Sequence, residues 1–162
     1  ERATTYKSSN GAYEEITVDT DDQATLLLKF DRGTKGVFVG GQCFAGRKNK
    51  MSWEIYGSQK SLAWNSEAAN ELWIGNRSSA NEILMKDFNL LDGKAADMCD
   101  FTGGIVEGFA ETWKNLMRNI YEAVLEGRHN DNYPSFKDGL QIQKVVDAAV
   151  ENSRQGKWLI VD

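Results

Sequence analysis

The spacing of apolar and polar positions changes rhythm once along this chain. In the first half, short runs rich in Val, Ile, Phe, Trp and Tyr are separated by Gly, Asn, Ser and Lys. Such runs predict β-strands joined by tight turns. Gln23–Phe30 forms the first strong run, and its Leu26-Leu27-Leu28 core lacks alternation, which predicts a strand covered on both faces. The stretch 33–75 predicts a meander of four or five strands, antiparallel because a parallel return needs a long crossover. Gly46–Asn49 and Gly57–Lys60 are its predicted hairpin tips. Tyr13–Val18 and Ile83-Leu84-Met85 are further strand candidates, and 90–100 reads as loop or one helical turn.

From Val106 the rhythm becomes helical. Phe109, Ala110, Trp113, Leu116, Met117, Ile120, Tyr121, Val124 and Leu125 fall at 3–4-residue spacing before Gly127. A second helix opens at Ser135, with Asp138 placed for a capping box, and stops at Gly156. Trp158–Val161 then predicts a closing strand. The resulting class is α+β, an open and mainly antiparallel sheet with helices packed on one face.

Length and charge narrow the range of functions. The chain has 162 residues, enough for one domain with a substantial core. Residues 1–12 are polar and predict a tether; 13–162 predict the domain. A net charge of −5, with scattered Lys and Arg, gives no basic face and argues against nucleic acid. No apolar run reaches the ~20 residues of a membrane helix. Cys43 and Cys99 lie far apart and read as small buried thiols, which suits a cytoplasmic setting. The chain begins at Glu1 rather than Met, which suggests a piece of something longer.

The side chains offer little catalytic chemistry. His129, the single histidine, follows a helix end and reads as a solvated residue favoured by the dipole. With two separated cysteines it does not make a zinc site. Gly41–Gly46 has P-loop spacing, but Arg47-Lys48 follows instead of Lys-Ser or Lys-Thr, and no helix begins there to meet a phosphate. No G-x-G-x-x-G occurs, so the chain carries no dinucleotide fingerprint of its own.

The remaining candidates concern binding. Arg47, Lys48 and Asn49, at one predicted tip, either bind a polyol or carboxylate or form a solvated turn. Gly103 and Gly104 either let a ligand approach the backbone or form an ordinary helix entry. Trp53, Trp64 and Trp73 fall on successive predicted strands, as core, oligomer contact or a stacking platform for sugars. Glu107 and Glu111 are placed one turn apart on the solvated face of the first helix.

Ordered along the chain are Phe30-Asp31-Arg32-Gly33-Thr34-Lys35-Gly36, Gly46-Arg47-Lys48-Asn49, Glu54-Ile55-Tyr56-Gly57-Ser58 and Ser61-Leu62-Ala63-Trp64. Asn70-Glu71-Leu72-Trp73-Ile74-Gly75, Gly103-Gly104-Ile105-Val106-Glu107-Gly108-Phe109, Tyr133-Pro134-Ser135-Phe136-Lys137-Asp138-Gly139 and Gly156-Lys157-Trp158 follow. This series resembles the C-terminal domain of the glucose–fructose oxidoreductase/inositol dehydrogenase (Gfo/Idh/MocA) family. The resemblance implies a longer parent in which an N-terminal Rossmann domain, absent from these residues, binds NAD or NADP. It further implies a C-terminal domain that walls the pocket of a sugar or polyol and forms a homo-oligomer through its open sheet face. The family's glycine fingerprint, its Glu-Lys-Pro segment with the catalytic lysine, and its Asp and His pair have no counterpart here. Relatives often carry Gly-Gly-His where this chain has Gly103-Gly104-Ile105. The fragment is therefore expected to hold no catalytic, cofactor or metal residue and to be inert alone. A non-catalytic carbohydrate-binding module and a pure oligomerisation domain are the rival expectations.

Overall fold

In this computed structural model, residues 20–128 and 131–162 are described. The expected tether 1–12, the candidate strand Tyr13–Val18 and His129 lie outside them. The chain divides after Arg47 into two compact units.

The first unit contains β1 (Gln23–Lys29) and β2 (Lys35–Gly41), an antiparallel hairpin. Its turn is closed by Phe30 N donating to Thr34 O (2.8 Å) and Gly33 N to Phe30 O (2.9 Å), with Gly33 at φ 86°. That conformation is open to glycine at no steric cost. The triple leucine is not covered on both faces. Leu26 and Leu28 are half-buried, whereas Leu27 is 65% exposed and sits opposite Val37, itself exposed. Successive side chains of a strand point to opposite faces, so burial alternates with period 2 among the described residues even where the sequence lacks that alternation in polarity.

The second unit holds a four-stranded antiparallel meander, β3 (Ser52–Tyr56), β4 (Lys60–Asn65), β5 (Glu71–Asn76) and β6 (Glu82–Met85), paired in chain order. The Gly57–Lys60 tip forms as expected, with Gly57 N donating to Lys60 O at 3.0 Å. The other expected tip does not. β2 pairs with β1 and β3 pairs with β4, so residues 46–49 lie on a link between two sheets, not in a hairpin. The apolar runs on either side are separated by Gln42–Met51, long enough for the second run to find a different partner.

The helices follow the sequence closely. After a short α1 (Gly93–Asp97), α2 runs Phe109–Glu126 and α3 runs Phe136–Gln155. Gly127 and Gly156 close them in the left-handed conformation, both at φ 64°. Ser135 and Asp138 make the expected reciprocal cap: Asp138 N donates to Ser135 Oγ (3.3 Å), and Ser135 N donates to Asp138 Oδ2 (2.7 Å). Ser135→Ala should lower stability by about 1 kcal/mol, read as a shift of the urea midpoint with unchanged slope.

Two expectations about the periphery fail. Trp158–Val161 forms no strand, since the chain leaves α3 without meeting a sheet edge to complete its hydrogen bonds. Cys43 lies past the end of β2 and is exposed, while Cys99 is half-buried. Nor do the described residues form the expected substantial core. Among the described apolar residues, Ala123 alone is fully buried, at 5% exposure, and its polar neighbour on α2, Asn119, is at 2%. Length predicts the capacity to bury surface, but strands and helices need covering layers, and here large side chains such as Ile55, Ile83 and Phe109 stay open.

Candidate functional site

Register places the tryptophans on different faces. Trp53 and Trp64 are direct cross-strand partners and stack with centroids 6.5 Å apart. Trp73 stands opposite Ala63, so it projects from the other face, and its indole lies over the bare Cα of Gly75. Trp64 donates its indole N–H to Ala69 O at 3.0 Å. Three tryptophans on successive strands therefore make one stacked pair and one separate ring, not a single platform.

The densest polar assembly centres on a carboxylate that the helical reading had placed in solvent. Glu107 precedes α2, and its side chain is only 10% exposed. It accepts from Lys86 Nζ at 2.7 Å, from Asp100 N at 2.9 Å and from Phe101 N. Lys86, 11% exposed, follows β6 and also donates to Phe101 O at 3.0 Å. Asn70, just before β5, closes the other end: its Nδ2 donates to Ile105 O (2.8 Å) and its Oδ1 accepts from Glu107 N (3.2 Å). Asp100 pairs in turn with Lys114 on α2, and Asn115 Nδ2 holds Met98 O at 2.7 Å. The segment 98–107 is thus gripped from the sheet and from α2. Glu111 is also engaged, capping the helix through Gly108 N at 2.7 Å.

Burial pushes the Glu107 carboxyl upward, but the Lys86 hydrogen bond and the Phe101 and Asp100 amides outweigh it and hold the group below the ordinary glutamate range. Burial raises the Cys99 thiol; the nearby Glu107 and Asp100 carboxylates add to this, and Lys86 opposes it. A neutral, half-buried thiol is a poor nucleophile.

Of the residues singled out from sequence, Gly103 and Gly104 lie within this gripped segment. A Cβ on Gly103 would fall 2.5 Å from Asp87 Oδ2, and Gly104 adopts φ 86°. Neither is a direct helix entry, because α2 begins at Phe109. Arg47 closes the first unit, and its N–H donates to Phe44 O (3.1 Å) in a turn with Gly46 at φ 84°; Lys48 and Asn49 open the second unit, exposed. The sequence reading did not single out Asn70 and Lys86 as site residues, and it placed Glu107 on a solvated helix face. The available signal was the position of Glu107 three residues after Gly104, ahead of a helix whose N-cap, Gly108, has no side chain.

A separate open depression of about 380 Å³ is lined by Asp131, Asn132, Tyr133, Pro134 and Asp138 at the start of α3. Among the described residues no cluster of three or more His, Cys, Asp or Glu is arranged to hold a metal, and no helix is long and apolar enough to cross a membrane. The glycine-rich 40–46 runs from the end of β2 into the link before β3, and the element that follows it along the chain is a strand, not a helix.

Two antiparallel sheets followed by helices, with this loop assembly before α2, define a domain class that comparison identifies. Residues 1–161 match the oxidoreductase family, C-terminal alpha/beta domain, and the chain belongs to that family. Levoglucosan dehydrogenase from Pseudarthrobacter phenanthrenivorans is 28% identical over 148 residues, 89% of this chain and 37% of the relative. A solved levoglucosan dehydrogenase in complex with NADH and levoglucosan matches with a TM-score of 0.80 at 25% identity, over 89% of this chain and 39% of that one. An oxidoreductase from Sinorhizobium meliloti matches with a TM-score of 0.83 at 25% identity, over 88% and 42%. The chain thus spans about two-fifths of the length of the relatives it matches.

Proposed function

We propose that residues 13–162 form the substrate-binding and oligomerisation part of a longer, two-domain NAD(P)-dependent oxidoreductase acting on a sugar or polyol. The carrying observation is the whole-chain match to an oxidoreductase C-terminal domain that makes up only part of each relative. A relative of this fold is described with NADH and levoglucosan, which supports a nicotinamide cofactor and a polyhydroxylated substrate for the parent. The cofactor, when bound, would supply hydride transfer at a carbinol carbon. The dinucleotide is held outside these residues, by the N-terminal domain.

This chain's own part is to wall the pocket. Arg47, Lys48, Asn49, Gly103 and Gly104 are the proposed contacts: the side chains donate to hydroxyl oxygens, and the glycines let a sugar approach the backbone. Exposed Trp73, Ile83 and Met85, which the register puts on one face of the meander, favour a homo-oligomer built through that open sheet face. Light scattering should give a multimer; a monomer at high concentration would remove that element.

The test is turnover by the full-length protein with NAD+ or NADP+ against a panel of polyols that includes levoglucosan. Reduced cofactor should appear with at least one of them. Arg47→Ala and Asn49→Ala should lower kcat/KM about tenfold or more, as loss of a charged or neutral hydrogen bond to substrate would. Unchanged values would take those side chains out of the pocket.

A further inference from the structure

We propose that Glu107 is the positioning residue of the Gly103–Gly104 backbone, fixing it for substrate through the amides of Asp100 and Phe101 and the ammonium of Lys86. The proposal rests on the pocket-wall reading above.

The Lys86–Glu107 pair is nearly closed off from solvent. An ion pair in that setting offers little net stability over apolar residues of the same volume, because desolvation offsets attraction. Net stability therefore does not account for the pair, and its geometry supplies another use. Apart from one turn bond, Ile105 N to Thr102 O at 3.3 Å, the grips from outside fall towards the ends of the segment: Asp100 and Phe101 on one side, Ile105 and Glu107 on the other. Between them lies the tip 102–104, exposed and containing two adjacent glycines, the residue type with the most conformational freedom to lose. Lys86 ties the two ends together, holding Glu107 and Phe101 O at once. Untied, the tip would have to be ordered each time a ligand bound; tied, it is ordered beforehand, and affinity gains by that difference. Glu107 touches no reacting atom in this scheme. It acts through the backbone that it holds.

Glu107→Gln keeps the shape and one acceptor but removes the charge. In the full-length protein, hydrogen exchange at Asp100 and Phe101 should become about tenfold faster or more, while the central amides of α2 keep their protection. In the same variant, KM for levoglucosan, or for whichever polyol of the panel is turned over, should rise about tenfold with kcat within about twofold. Glu107→Asp, which keeps the charge, should recover part of both effects. If the Gln variant does not fold, Asn70→Ala releases the opposite end and should give the same split.

Unchanged exchange at Asp100 and Phe101 would overturn the proposal. So would faster exchange with unchanged KM, or loss of protection across α2 with kcat falling in step, which marks a merely structural role. A wild-type protein that turns over no polyol with either cofactor would instead defeat the pocket-wall reading and the substrate half of this proposal. The exchange measurement would still decide whether Glu107 holds the tip.

Discussion

Lys86→Met is expected to destabilise the chain by about 2 kcal/mol, below the about 3–5 kcal/mol of removing one partner from a fully buried ion pair because both residues keep some contact with solvent. Methionine fills much of the space of the lysine stem, so packing is largely conserved and the loss is electrostatic. Glu107 would be left with two backbone amides and no cation, in a setting where its charge is poorly solvated. Urea denaturation near neutral pH should show the drop as a lower midpoint. A change under about 1 kcal/mol would mean that water reaches the pair and screens it.

The same pair sets an acid dependence. In the folded chain the Glu107 carboxyl titrates below the ordinary glutamate value. The unfolded state therefore takes up a proton first as pH falls. The stability contributed by the ionised carboxylate is fully present above the unfolded value and is lost as pH drops through the lowered folded value. Stability of the wild type should decline in that acidic window, and Glu107→Gln should remove this part of the decline. A Glu107→Gln profile parallel to wild type throughout would assign the acid sensitivity to other carboxylates.

The second large effect is expected at Trp64. Its ring stacks on Trp53, its N–H is satisfied by Ala69 O, and it sits on an inner strand of the four-stranded sheet. Trp64→Ala removes the stacking, the buried part of the indole area and one hydrogen bond. For a fully buried tryptophan the loss would be about 3–5 kcal/mol, and the half-buried state of Trp64 scales this to about 2–3 kcal/mol. Trp73, on the opposite face and not in that pair, should tolerate Phe with about 1 kcal/mol or less. Chemical denaturation of both variants checks the contrast, and equal effects would mean that both faces are covered alike.

Family membership was legible because it is carried by short words in order, and these words encode local structure. Gly57–Lys60 turns a hairpin, Ser135 and Asp138 cap a helix, and Gly127 and Gly156 end helices. Each depends on residues within a few positions of one another. The candidate site was only half legible. Gly103 and Gly104 stood out because paired glycines are conspicuous, but nothing in the sequence marks Lys86 as the partner of Glu107. Helical spacing even misplaced Glu107, because it falls in register with Glu111 although the helix starts after it.

The sequence by itself determined the strands β1 to β6, both long helices with their glycine stops and the Ser135 cap, and the family, since these follow from period-2 and 3.6-residue patterns and from turn residues acting locally. Tertiary structure decided the rest. It separated β2 from β3, left Trp158–Val161 unpaired, set Trp73 apart from Trp53 and Trp64, and drew Asn70, Lys86 and Glu107 together around one loop. The physical reason is range. A backbone hydrogen bond in a turn or helix is chosen by neighbours in sequence. A strand partner or a buried counter-ion is chosen among all groups the folded chain brings near, by which of them best replaces the water that was lost.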